Sequence, residues 1–518
     1  MEILRTIMEW LKRPITDVSS PVYWVNGLAG IGKSTIARTV AEQAKDSALP
    51  IATFFFTRNN AALSNAKLFV TSIAFRLAEI FPDFMESICG ALKADGDLHE
   101  KSLDTQFTAL LFQPLRSFTL TRPLLVVVDA LDECVLKDAE AILRNVISRC
   151  TQVPALRILI TSRPENHITY LFKGANSIQK VILHDIENAV IASDIRHYLE
   201  YQLKGIYKDD KFPSIPLDWP SPADLTTLVN KAGKLFIWAA TAVKFIGDSD
   251  ILNPVKQLRI ILGRTVFSQN PHAELGELYQ MVLSNGLRDP DRLLDFQQML
   301  GTVVLLQNPL SLQSLGNFLG ILDVGYLLIH IQSIIPLPQH PEGTVEIYHP
   351  SFPDFIANSS QCHDERFRLD VGRHERWMAL RCLDLLTTGL TDAVLGLVPW
   401  YSLNAKVENL TTELTAAVGL EIQYACRFWA SHLGRVQLVD EEVNEALEEF
   451  TGVGMGVGKG HLLQWVMVMS MMGRVHDAMR SLQGLLPWLV SILVLGMKML
   501  LIAPFRGCQN VKQMFSGF

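Results

Sequence analysis

The sequence predicts an α/β fold, a doubly wound parallel sheet with helices on both faces, followed by a long all-helical part. Three observations carry this. Residues 27–35 read Gly-Leu-Ala-Gly-Ile-Gly-Lys-Ser-Thr and satisfy the phosphate-loop pattern G-x-x-x-x-G-K-[ST], which sits between a strand and a helix. Short aliphatic runs alternate with helical stretches as far as residue 183, as expected for parallel strands covered on both faces. Beyond Asp185 strand signal nearly disappears and helical periodicity takes over.

The elements follow in order. Ile3 to Lys12 is amphipathic and predicts a helix, ended by a Pro/Asp/Ser turn. Val22-Tyr23-Trp24-Val25-Asn26 predicts the first strand, and a helix opens at Lys33 after the glycine-rich loop. Ile51–Phe56 is short and apolar enough for a second, buried strand. Helices are predicted near Ala66–Phe81 and Gln106–Ser117, then a third strand at Leu124–Asp129. A helix from Lys137 to Cys150 leads to a fourth strand, Arg157–Thr161, and Val181–Leu183 predicts a fifth.

In the helical part, Lys208–Pro222 reads as a loop and Asp248–Pro254 as a break. Residues 271–360 read as a small unit whose helices give way to an extended stretch, Gly343–Tyr348, before His349-Pro350. The chain turns helical again from Arg373, without internal repeats of 20–50 residues. Glycines alternate through 451–460, but Val453 stands where a second phosphate loop needs its first glycine and Gly460 where it needs Ser or Thr, so a linker is expected. Leu485–Pro504 is largely apolar. Pro487 and Lys498 favour an amphipathic helix there over a membrane span.

Composition narrows the function classes. A net charge of −7 over 518 residues provides no basic field for nucleic acid. The seven cysteines form no C-x-x-C pair, so neither zinc nor a disulfide framework is indicated and reduced thiols are expected. The N-terminus lacks a basic-then-apolar leader, which points to a cytoplasmic protein.

The chemistry centres on the loop. Gly27, Leu28, Ala29, Gly30, Ile31 and Gly32 can turn backbone N–H groups onto phosphate oxygens, because glycine puts no Cβ in the way. Lys33 is placed to reach the β- and γ-phosphates, Ser34 to offer its hydroxyl to Mg²⁺, and Thr35 continues the helix whose positive end faces the anion. Such a loop needs a metal-holding acid on a neighbouring strand. Asp129 closes the aliphatic third strand and is assigned that role, with Asp132 or Glu133 orienting the attacking water. Arg163, at the carboxyl end of the fourth strand, can stabilise γ-phosphate charge; the plain alternative is a surface Arg paired with Glu165.

“GLAGIGKST”, “LLVVVDALDEC” and “ILITSRPE”, in this order, resemble the NACHT NTPase domain of fungal NOD-like receptors, members of the STAND class of signal-transducing NTPases. The segments “GKLFIWAATAVKFI”, “ELYQMVL”, “TVVLLQNPLSLQSLGNFLG”, “YHPSFPDFI” and “YACRFWASHL” resemble the same proteins, so the similarity runs to about residue 490. The resemblance implies an N-terminal helix or linker (1–20), a nucleotide-binding α/β domain (21–185), a helical domain (186–270), a winged helix (271–360) and a further helical segment (361–518). It also implies that His349, in “YHPSF”, contacts the β-phosphate of a bound diphosphate; taken alone, a single His in an apolar stretch reads as structural. The implied ligands are ATP or ADP with Mg²⁺, with GTP open, and the implied partners are further copies of the chain or related receptors.

Two departures matter. The chain begins about 20 residues before its first strand, without the effector domain such receptors carry, and shows no WD, ankyrin or tetratricopeptide repeats. The leading expectation is a nucleotide-operated switch, closed with diphosphate and open and self-associating with triphosphate, reset by slow hydrolysis. A truncated protein acting as a decoy or not signalling stays open, as does a turnover NTPase or kinase.

Overall fold

The computed structural model describes residues 2–486 apart from 17–19, 59, 62, 118–119, 175–177, 210, 213–214, 249–252, 264–270, 288, 392–393, 395, 399–403, 405–406, 437–439 and 453–459. Most of the expected glycine-rich linker and nearly all of the apolar 485–518 stretch therefore lie outside the described residues.

Five strands, β1 (Val22–Asn26), β2 (Ile51–Phe55), β3 (Leu124–Asp129), β4 (Leu156–Ser162) and β5 (Ile178–Ile182), form one sheet in the order β2-β3-β4-β1-β5, every pair parallel. Side-chain alternation sorts the two faces. Tyr23, Val25, Leu125, Val127 and Leu159 pack with Ile7, Trp10, Ala37 and Val40 of helices α1 (Glu2–Leu11) and α2 (Lys33–Asp46). Val22, Trp24, Val126, Val128, Ile158 and Ile160 face the other way, onto the helices Ala66–Ile80 and Leu136–Arg149. β1, β3 and β4 are buried throughout, which is why they are largely apolar, with Asn26, Asp129, Thr161 and Ser162 at the strand ends beside the loop and Arg157 the exception within β4.

Four local differences from the sequence reading have physical reasons. A helix at Pro82–Ala94 follows Ala66–Ile80 directly; Pro82 occupies its first turn, where proline's missing N–H costs nothing. The helix expected at Gln106–Ser117 is three joined pieces, Leu103–Gln106, a π-helical Phe107–Phe112 and Gln113–Ser117. The extended stretch Gly343–Tyr348 forms no strand; it makes an antiparallel bridge between Thr344 and Ser311, and Tyr348 N–H donates to the Ile334 carbonyl (2.9 Å). The phosphate-loop strand β1 and the acid-bearing β3 are not neighbours, because β4 pairs with both.

After the turn Leu183–Asp185 the described chain is helical. Helix starts are set by side-chain caps: Ser221 forms a capping box with Asp224 ahead of Pro222–Ala232, and Asp370 caps Val371–Gly389. Most buried apolar residues from Ile191 to Leu485 belong to one hydrophobic cluster, which includes residues of the helices Phe236–Ile246, Pro271–Gly286, Val371–Gly389 and Leu420–Leu433. Cys89, Cys134, Cys150, Cys362, Cys382 and Cys426 are free thiols. Among the described residues no helix is long and apolar enough to cross a membrane.

Candidate functional site

The loop after β1 is held from both sides. Gly27 N–H donates to the Ser162 carbonyl at the end of β4 (3.3 Å), and the Gly30 carbonyl accepts from Ile237 N–H (3.1 Å) at the start of the helix Phe236–Ile246. Gly30 (φ +77°) and Gly32 (φ +101°) adopt left-handed backbone, which costs a side-chain-bearing residue about 1–2 kcal/mol. A Cβ on Gly30 would stand 2.1 Å from Ile237 Cγ2, so close approach excludes it as well. Ile31 anchors the loop in the core beneath, while Leu28 is 40% exposed at its crest.

Lys33 opens α2 and bends back, its Nζ donating to the carbonyls of Gly27 (2.8 Å) and Leu28 (2.9 Å). Burial pulls its ammonium down to about 8, although Asp132, Asp129 and Glu133 pull the other way. Ser34 and Thr35 are exposed on the first turn of α2.

Asp129 ends β3, almost fully buried. Its carboxylate accepts from the hydroxyls of Thr161, on the intervening β4, and of Ser34, on α2. Thr161 in turn accepts from Ala130 N–H (3.0 Å), fixing Ala130 in left-handed backbone (φ 53°), a strained conformation for a non-glycine residue. Burial pushes the Asp129 carboxyl up; the two hydroxyls and Lys33 oppose that. Asp129 and Ser34 thus present two hard oxygens beside the loop. Mg²⁺ takes few protein oxygens and completes its shell with phosphates and water, so this pair fits that ion. No cluster of three or more His, Cys, Asp or Glu that could hold a metal occurs among the described residues.

The two acids that follow diverge. Asp132 is committed to Arg163: Oδ1 accepts the Arg163 N–H (2.9 Å) and Oδ2 lies 3.2 Å from its Nε. Glu133 accepts the backbone N–H of Arg58 (3.2 Å), and burial together with Asp132 pushes its carboxyl up to about 7. Arg163 reaches further, its Nη1 lying 2.5 Å from Asp354 Oδ2 on the short helix Ser351–Ile356. Its partners are therefore Asp132 and Asp354, rather than the neighbouring Glu165.

His349 is brought to the loop, with its Cε1 3.8 Å from where a Gly30 Cβ would stand. Its Nδ1 accepts from Ser351 N–H (3.1 Å) and bonds the Ser351 hydroxyl (2.7 Å), itself bonded to Tyr279 (2.8 Å). That leaves the other nitrogen, Nε2, to carry the ring proton. Burial, with Arg163 and Lys33 nearby, lowers its pKa to about 3, so the ring is neutral. Leu28, Ala29, Arg163, Tyr279, Ser351 and Asp354 border a cavity of about 340 Å³ beside the loop.

The structure therefore gathers the loop, Ser34, Asp129, Asp132, Glu133, Arg163 and His349 in one place. It adds four residues that the sequence reading did not single out: Arg58, Thr161, Ile237 and Asp354. Thr161 and Arg163 share “ILITSRPE” with the strand end, and Asp354 lies within “YHPSFPDFI”, but Arg58 follows β2 without any pattern to mark it.

Comparison with known proteins bears on the first third of the chain. No curated protein matches it. Among solved structures, a Walker-type ATPase of Pyrococcus abyssi is 12% identical, covering 68% of this chain and 94% of its own, with a TM-score of 0.32. Drosophila ORC bound to DNA is also 12% identical, covering 71% and 86%, with a TM-score of 0.30. Residues 4–163 match the family model described as Nephrocystin 3, N-terminal. That span holds the loop, Asp129 and Arg163, and with the parallel sheet around them this part of the chain has the P-loop NTPase fold.

Proposed function

We propose that the chain is a nucleotide-operated switch of the NACHT type. The observation that carries this reading is the reach of a distant part of the chain into the phosphate site: His349 stands over Gly30 while Asp354 pairs with Arg163. A pure turnover enzyme has no need of such contacts. A switch requires them, because a ligand shifts a two-state equilibrium only by its differential affinity for the two states.

In the reading proposed, residues 27–35 and Lys33 bind the phosphates of ATP or ADP, GTP being the alternative base. Asp129 and Ser34 hold Mg²⁺, which when bound neutralises charge on the β/γ oxygens. Glu133, poised near neutrality, takes the proton of the attacking water; Asp132 acts through Arg163 by fixing its guanidinium. The neutral His349 donates Nε2–H to the β-phosphate of a diphosphate and so favours the closed arrangement. Residues 271–360 act as the winged helix between the helical domain 186–270 and the segment 361–518. Opening exposes surface for self-association in the cytoplasm.

The test is the nucleotide that co-purifies, identified by mass spectrometry after denaturation, together with turnover kinetics. Bound diphosphate with fewer than one turnover per minute supports a switch. Rapid multiple turnover with nothing retained replaces it with a turnover NTPase.

A further inference from the structure

Asp354 stands between two arginines at the edge of the phosphate site. Its Oδ2 is 2.5 Å from Arg163 Nη1 and its Oδ1 is 3.9 Å from Arg58 Nη1. Both arginines are also tied to the acidic turn after β3. Arg163 holds the Asp132 carboxylate, while Arg58 donates from Nη2 to the Asp132 carbonyl (3.3 Å) and from its backbone N–H to Glu133. Two strand ends, β2 through Arg58 and β4 through Arg163, thus present guanidinium groups toward the same point. That point is taken by a carboxylate delivered by the short helix that follows His349.

A carboxylate and a terminal phosphate compete for the same guanidinium faces, since both accept paired N–H donors in a plane. The phosphate brings more charge and more acceptor oxygens, so it is the stronger ligand where both can reach. A diphosphate lacks the γ group and leaves the Asp354 pairings untouched.

We propose that Asp354 is an internal stand-in for the γ-phosphate, and that Arg58 joins Arg163 as a second γ-phosphate ligand once a triphosphate displaces it. The inference rests on the switch reading and adds to it the step by which triphosphate is told from diphosphate. Displacing Asp354 frees the helix Ser351–Ile356 from the sheet, so nucleotide identity is converted into release of the segment that carries His349.

The experiment titrates fluorescent analogues of ATP and ADP, with Mg²⁺, against the full chain and its Asp354→Asn and Arg58→Ala variants, with Lys33→Ala as control. Asp354→Asn is expected to tighten triphosphate binding about 5- to 150-fold, the range of ordinary coupling between sites, and to leave diphosphate affinity within about twofold. Arg58→Ala is expected to weaken triphosphate about tenfold with diphosphate unchanged, and to shrink the gain from Asp354→Asn when the two are combined. Unchanged triphosphate affinity in Asp354→Asn, or equal tightening of both nucleotides, overturns the stand-in role. An unchanged triphosphate-to-diphosphate ratio in Arg58→Ala removes Arg58. If wild type binds both nucleotides and Lys33→Ala neither, these failures leave the phosphate site standing; if wild type binds neither, both readings fall together. Hydrogen exchange of the wild-type chain provides a readout independent of any variant's folding. A non-hydrolysable triphosphate should speed exchange across 349–356 relative to diphosphate, and equal protection by the two overturns the proposal.

Discussion

Ile237 meets Gly30 twice: its backbone N–H donates to the Gly30 carbonyl, and its Cγ2 fills the space where a Cβ on Gly30 would stand. The phosphate loop is therefore shaped partly by a helix outside its own sheet. A glycine that the sequence pattern assigns to phosphate contact is equally a docking socket for Ile237.

Gly30→Ala should accordingly cost more than the left-handed backbone alone. The strain and the overpacking against Ile237 together amount to about 2–5 kcal/mol. Calorimetry should show the first unfolding transition lowered, and nucleotide binding lost. The double variant Gly30→Ala/Ile237→Ala should recover the steric share and keep the strain; strictly additive losses would mean that the two residues do not press on each other.

Lys33 should set the alkaline limit of nucleotide binding. Its ammonium, held at about 8 by burial, is favoured by phosphate, so affinity should be highest below pH 8. It should then weaken as pH rises, approaching tenfold per unit while the free protein is deprotonated and the complex is not. Titrations between pH 6.5 and 9.5 check this, and Lys33→Ala should not bind at all. A flat profile would mean that Lys33 carries no proton into the complex.

Glu133→Gln and Asp132→Asn should separate. With its carboxyl near 7, Glu133 is a base only when deprotonated, so hydrolysis should rise with pH through about 7. Replacing it should slow single-turnover hydrolysis about 10²- to 10⁴-fold with binding preserved. Asp132→Asn should instead lower stability by about 1–3 kcal/mol, through its buried bonds to Arg163, and slow hydrolysis less. Equal losses of rate in both would give both acids to the water.

His349→Ala should speed stopped-flow release of labelled diphosphate by roughly 5- to 150-fold while triphosphate affinity is not weakened. The imidazole is depressed from its ordinary value to about 3, so in the proposed switch its neutral form should support the closed arrangement fully above pH 6.5. That support should fade as pH falls toward 3. Wild type should therefore open below pH 6.5, read by sedimentation, and His349→Ala should lack that dependence. Unchanged release with a plain loss of thermal stability would make His349 a core residue only.

How much was legible follows burial. β1 and β3 match their expected spans residue for residue, because a strand covered on both faces is a continuous apolar run. β5 was read late and short, since the edge strand carries Gln179 and Lys180, which dilute the signal. The helix Pro82–Ala94 was not predicted; Pro82 and Asp83 form its first turn. The loop, Asp129 and Arg163 announce themselves by pattern and by position at strand ends. Arg58 and Asp354 do not: an arginine after a strand and an aspartate on a six-residue helix acquire meaning only when folding brings them together. Likewise, nothing local to “LDEC” divides the labour between Asp132 and Glu133. That division comes from Arg163 and Arg58 on other strands.

The shared core of described residues between Ile191 and Leu485 has a mechanical consequence. Interiors packed to crystal-like density resist sliding within themselves, so in the proposed switch these helices should move together as one load rather than as a string of beads. The chain crosses from the sheet to that load once, through Leu183–Asp185, Ile186 and Glu187. In the proposed switch, a single covalent crossing of this kind would turn the loss of the contacts at His349, Asp354 and Ile237 into a swing, small beside the crossing and widest at the far end of the arm.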